Sequence, residues 1–208
     1  MISILDAAAA HAELEPEKVL SEHTWLGQAI DEDASTGRFT AWGRSTAIDE
    51  LTHTPVVTRV LFDALHDRAG LEAHWPVGNA GLLHVYGYLL STTQTPFGLK
   101  RDRWLDLHLA RAYGLGDTAF LPWLGSSSLL ERVTAAATAL LARGATRLQM
   151  VGGSRCSVAL GREQNHGPFA LAYAVGGQLI TTFPVDSVEN VLHEWDSRPG
   201  ELMWNAVL

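Results

Sequence analysis

Between Gly152 and Gly167 the chain carries its one cysteine, Cys156, followed by Glu163 and His166 in a polar loop. A thiol, a carboxylate and an imidazole are the groups that attack carbon or carry protons near neutral pH. Cys156 attacks as a thiolate if a histidine takes its proton. Without one, a lone cysteine beside Val158 and Leu160 is a small core hydrophobe. Glu163 and His166, three apart, either share a proton or belong to a solvated hairpin loop in which Asn165 and Gly167 serve the turn. Spacing leaves both choices open, because the partner of a nucleophile is near in space and not in sequence.

A second group is His84, Tyr86 and Tyr88. Leu82 to Ser91 is rich in β-branched and aromatic residues and is predicted as a strand, which would project all three onto one face. Such a row either lines a pocket, with a tyrosine as proton donor, or packs as an amphipathic face. Gly87, on the opposite face, leaves room for a backbone or a ligand to approach. The third group is basic. Lys100, Arg101, Arg103 and Arg111 are candidates to clamp a carboxylate, phosphate or sulfate, or to pair with Asp102 and Asp106 on a solvated helix. Arg44 and Arg155 are alternative anion clamps.

Several mechanisms lose their footing. The histidines show no HExxH or other ligand spacing, so no metal is expected. No GxGxxG follows a strand and there is no phosphate-binding loop. A pyridoxal enzyme would have only Lys18 or Lys100 for its Schiff base. No cofactor is expected. A net charge of −8 argues against nucleic acid or an anionic membrane as the main partner.

The elements that must position these groups follow from periodicity and turn chemistry. Helices are predicted over 3–12, 16–30, from Thr54-Pro55 to Gly70, over 101–113, 129–143 and 187–195. Strands are predicted over 38–46, 82–91, 146–151, 155–161, 168–175, 178–183 and 201–208, with turns at Gly78 to Gly81 and a two-residue hairpin at Gly176-Gly177. Strands gathered after mostly helical sequence predict an α+β fold: an antiparallel sheet, mainly of C-terminal strands, packed against several helices. The 208 residues, 47% apolar, suit a single domain, with helices 1–30 as part of its body or as a peripheral embellishment. The acidic N-terminal stretch and single cysteine predict a cytoplasmic protein.

The run Trp75-Pro76-Val77-Gly78-Asn79-Ala80-Gly81, with Tyr86-Gly87-Tyr88 and Pro96-Phe97-Gly98-Leu99-Lys100-Arg101 after it, resembles a set of small high-GC bacterial proteins loosely labelled amino-acid deaminases. The resemblance implies C–N bond chemistry on a small amino-acid-like molecule, in specialised metabolism. With the residues above it gives the expectation of a cofactor-independent enzyme acting by elimination or hydrolysis. In that picture His84 or His166 is the base, Glu163 shares the proton, Tyr86 or Tyr88 donates a hydrogen bond, and Arg44, Arg155, Lys100 or Arg101 holds the substrate. Cys156 is the nucleophile if the route is covalent. The alternative is a non-catalytic small-ligand-binding or partner subunit of a heteromeric complex, suggested by seven tryptophans. A homodimer fits either.

Overall fold

The computed structural model describes residues 2–163 and 166–208, so Gln164 and Asn165 of the polar loop lie outside the described residues. Three helices open the chain, Ile2–Ala12 (α1), Pro16–Glu22 (α2) and Thr24–Ser35 (α3). The single helix expected over 16–30 is broken at His23, whose ψ of 70° leaves the helical region. Leu5, Ala8, Leu20, Leu26 and Ile30 are buried in the main apolar cluster.

The strand expected over 38–46 is mostly a tight turn. Gly37, at φ 70°, ends α3 and leads into a 3-10 helix, Arg38–Ala41, before the short strand Arg44–Thr46 (β1). Phe39 and Trp42, three apart, both enter the core, so a period of three had read as a period of two. Helix α4, Arg59–Ala69, begins later than Thr54-Pro55, capped by Thr58 and closed by Gly70 in the left-handed region. The intervening residues form a turn held by Asp49, whose Oδ1 accepts from the N–H groups of Leu51 and Thr52 at 3.1 and 3.0 Å.

The largest departure lies at 82–91. Val77–Asn79 is a strand (β2) rather than the start of a turn, and from Ala80 the chain is helical to Leu89, with a π-helical segment, Leu82–Gly87. Asn79 starts it, its side-chain oxygen accepting from Leu82 N–H at 3.0 Å. Every residue from Leu82 to Leu90 is buried. A helix enclosed on all sides has no polar face and therefore no helical period, so β-branched and aromatic content misled the strand assignment.

The small strands Gln94–Thr95 (β3) and Gly98–Leu99 (β4) pair, and the helix expected over 101–113 divides into Asp102–Leu105 (α5) and His108–Ala112 (α6). The break is Asp106, extended at ψ 156°, whose carboxylate accepts from His108 N–H at 3.0 Å. Leu129–Ala142 (α7) matches expectation, capped by Ser128.

The four C-terminal strands expected from alternation are present: Arg147–Val151 (β5), Ser154–Gly161 (β6), Phe169–Val175 (β7) and Gln178–Val185 (β8), an antiparallel meander in sequence order. Gly176 and Gly177 have φ of 60° and 88°, the left-handed pair required by a two-residue hairpin. Ala170 and Ala172 face the main core, and Leu171, Tyr173 and Val175 face a second cluster with Trp195 of Val188–Ser197 (α8). The expected last strand shrinks to Ala206–Val207 (β9), which joins β1 and β2 in a second antiparallel sheet of order β2-β1-β9. The architecture is α+β, with the C-terminal sheet packed against helices.

Close packing holds the 80–89 helix in place. A Cβ on Gly81 would lie 2.6 Å from the Trp42 ring, itself anchored by its indole N–H to Thr134 Oγ1 at 2.8 Å. Gly87 admits Val57, whose methyl would stand 2.9 Å from an added Cβ, so the space at Gly87 is taken by the protein itself. Gly81→Ala should gain about 1 kcal/mol of helix propensity and lose about 1–3 kcal/mol to overpacking. We expect net destabilisation in urea unfolding; a stabilised variant would show that Trp42 yields.

Candidate functional site

The 80–89 helix, β1, β8, α5 and the segment before β9 meet around His84. Ser45 is central in β1, opposite Gly78 on one side and Ala206 on the other. Its hydroxyl lies 2.9 Å from His84 Nε2 and 3.0 Å from the main-chain oxygen of Asn205, so its one proton serves either of the two. The indole of Trp104 in α5 donates to the His84 carbonyl at 3.1 Å, tying the helix to the next element.

His84 is 2% exposed and Ser45 is fully buried. Burial, with Arg103 and Lys100 adding repulsion, holds the imidazole well below its usual 6.5, so His84 is neutral. Its Nδ1 has no partner at hydrogen-bonding geometry, and the main chain of Ile180 lies near the ring. With its proton on Nδ1 the ring presents the Nε2 lone pair to Ser45, whose single O–H then turns from Asn205 to Nε2. A hydroxyl facing the free nitrogen of a neutral imidazole is the arrangement that activates serine as a nucleophile.

Tyr88, one turn on from His84, stacks on the imidazole with ring centres 4.8 Å apart. Burial pushes its phenol up to about 12, so it remains a donor at neutral pH. Arg103 of α5 lies over the same ring at 5.2 Å, with Phe183 of β8 at 5.4 Å and Trp104 at 5.7 Å. Its one side-chain hydrogen bond among the described residues runs from Nη1 to Thr181 Oγ1 at 3.0 Å. Lys100 reaches the neighbourhood too, paired with Asp49 at 2.6 Å.

Asn205 closes against the group through its main-chain oxygen, 3.0 Å from the Ser45 hydroxyl. Trp204 and Asn205 both have left-handed backbones, φ 51° and 65°. Asn205 holds the segment down: its oxygen accepts from Thr46 N–H at 2.9 Å and its side chain accepts from Glu50 N–H at 3.1 Å. The Trp204 ring packs against Tyr173, Phe183 and Trp195.

Of the residues singled out in the sequence, the structure brings His84, Tyr88 and Lys100 together. Tyr86 points away, because residues two apart on a helix diverge; its hydroxyl donates to Asp33 at 2.5 Å. A shared strand face for His84, Tyr86 and Tyr88 is thus corrected to a helical pair and an outlier. Cys156 is buried in the second cluster beside Tyr173, its thiol raised by desolvation. Glu163 pairs with Arg143, and His166 is exposed. Arg155 is exposed on β6, and Arg101 pairs with Asp6 at 2.5 Å. Arg44 donates to the Leu208 carbonyl at 2.9 Å and lines a separate surface hollow of about 450 Å³ with Trp42, His74 and Gln178.

Sequence reasoning missed Ser45, Thr181 and Asn205. No local pattern marks them, since a serine in Arg-Ser-Thr is unremarkable until the fold brings His84 to it. Arg103 was visible only as one of a basic group.

No family model, curated protein or solved structure matches the chain. Among the described residues no group of three His, Cys, Asp or Glu is placed to hold a metal ion, and no helix is long and apolar enough to cross a membrane.

His66 makes the fold acid-sensitive. It is buried, its Nε2 accepts from Asn79 N–H at 3.2 Å, and burial holds it below 6.5. A depressed histidine contributes stability above its unfolded value of 6.5 that is lost as pH falls through the lower folded value; His84 acts in the same sense. We expect Tm to fall as pH is lowered from 6.5 toward about 5, and less steeply in His66→Leu. An unchanged slope would rule out His66 as a source.

Proposed function

We propose that the chain is a cofactor-independent enzyme acting on a small amino-acid-like substrate at a C–N or related bond, by hydrolysis with Ser45 as nucleophile and His84 as its base. The observation that carries this reading is the 2.9 Å approach of Ser45 Oγ to the Nε2 of a neutral imidazole. Ser45 Oγ attacks the electrophilic carbon while Nε2 takes its proton. The C–N bond breaks as that proton passes to the departing nitrogen. Water then adds to the Ser45 ester, giving its proton to Nε2, and the acid is released as Ser45 recovers its hydrogen. Tyr88, protonated and stacked on the imidazole, supplies a further donor beside the pair. An acidic chain with a single buried thiol suits the cytoplasm, and the resemblance to deaminase-like proteins suits specialised metabolism.

A second reading is favoured by one observation: Ser45 and His84 are both buried, with Asn205 lying against Ser45. A ligand-binding subunit that opens only against a partner would look the same. The two separate on turnover by the purified chain. Incubation with amino acids that carry a side-chain amide and keep the α-carboxylate, with ureido acids and with amidino acids, with ammonia as the readout, should show release by the chain alone. Turnover that appears only with a second protein from the native host would favour the subunit, and none in either case would reject the enzyme.

The thiol route has its own check. Buried Cys156 should resist iodoacetamide in the native protein, and Cys156→Ala should retain full turnover. Loss of turnover in step with alkylation would reinstate it.

A further inference from the structure

We infer that Arg103 is the anchor for a substrate carboxylate, which makes the ligand of this site a small monocarboxylate of the amino-acid type. The inference deepens the reading of the Ser45–His84 site and rests on it for the other half of the ligand. A guanidinium carries five N–H donors in one plane. At Arg103 aromatic rings of Tyr88, Trp104 and Phe183 lie within 5.7 Å of the guanidinium carbon, while a single donor, on Nη1, is engaged by Thr181. None of its nitrogens is among the sealed, unpartnered polar atoms, and the residue is half-buried, so the remaining donors keep some exposure even though burial desolvates the guanidinium. No carboxylate lies within ion-pair distance among the described residues. Aromatic contact with donors unengaged by the protein fits the two-point geometry by which arginine takes a carboxylate.

The other cations fit this role less well. Lys100 is neutralised by Asp49, Arg101 by Asp6, and Arg155 stands in solvent on β6. Position favours Arg103 as well, because it and His84 both pack on the ring of Tyr88. An anion held there lies one ring away from the base. One unneutralised cation suits a singly charged carboxylate; a phosphate dianion would need a second, and here Asp49 and Glu50 flank Tyr88 instead.

Saturation-transfer NMR on the full chain tests the assignment, with acetate, L-alanine, L-alaninamide and inorganic phosphate as probes. Acetate and L-alanine should receive saturation from the native protein, and alaninamide should not. Arg103→Met should weaken both carboxylates about 10- to 100-fold, with Arg103→Lys between, both at a Tm that reports a folded protein. Should Arg103→Met fail to fold, the Arg103 Nε–H resonance of the native protein, assigned with Arg103→Lys, must shift on adding acetate. Equal binding by the methionine variant, an unmoved Nε–H resonance, or phosphate binding ahead of carboxylates would overturn the inference. Carboxylate binding at Arg103 without ammonia release from any C–N substrate would keep the anchor and discard the hydrolase. Turnover undiminished in Arg103→Met would do the reverse.

Discussion

Replacing Ser45 with alanine should lower turnover on C–N substrates by about 10³-fold or more, with His84→Gln equally impaired and the double variant no worse than either. Groups that act as one unit lose their whole effect when either is removed, so near-identity of the three variants is the signature of the pair. Stability should change little in Ser45→Ala, by about 1 kcal/mol, the net worth of the hydroxyl's bonds to Asn205 and His84. The size of the kinetic loss therefore cannot come from unfolding, and a Tm measured alongside verifies it. If Ser45→Ala keeps its rate while His84→Gln loses it, the base acts without the nucleophile and the reaction is an elimination. Retention of rate by both variants would remove the site.

Asp33→Ala should cost about 3 kcal/mol of unfolding free energy, the largest stability effect we expect from a single polar side chain here. Asp33 is fully buried and accepts from Tyr86 at 2.5 Å, Ser128 at 2.7 Å and Arg38 at 3.1 Å. One carboxylate thus joins α3, the 80–89 helix, the cap of α7 and the 3-10 turn. Its removal leaves the buried Tyr86 hydroxyl without an acceptor, whereas Arg38 keeps Glu32 and Glu131 at the surface. Asparagine should not rescue it, because donors approach both carboxylate oxygens and an amide NH2 would face one of them. Burial raises this carboxyl above 3.8 against the pull of those three donors. Its linkage therefore favours the fold most below 3.8 and weakens as pH rises through the folded value. Denaturant midpoints for Asp33→Ala and Asp33→Asn within about 0.5 kcal/mol of the native protein would show that the junction is held by apolar contact alone.

Legibility followed the chemistry of each segment. The meander from β5 to β8 could be read because one face of each strand meets a different apolar layer and glycine pairs mark its turns. Helix α7 could be read from its stripe and its serine cap. The 80–89 helix was hidden by complete burial, and the one signal for it was Asn79 ahead of ten residues with no break. That error propagated to the site: two residues apart means the same face in a strand and diverging directions in a helix, so Tyr86 was grouped with His84 when Tyr88 alone belongs there. The loop at 152–167 attracted attention by residue type, yet type carries no information about direction, and Cys156, Glu163 and His166 face three different surroundings. Ser45 and Arg103 become informative only through contacts more than 30 and 70 residues away in sequence, with His84 and Thr181 respectively.

The left-handed backbone of Trp204 bears on the energetics of the segment that runs past Ser45. A bulky side chain at positive φ costs about 1–3 kcal/mol, and here that strain is held in check by ring contacts and by the bonds of Asn205. A displacement of this segment would release that strain and so cost less than its broken contacts alone imply. Within one short segment a strained tryptophan is thus held by the hydrogen bonds of the asparagine that follows it.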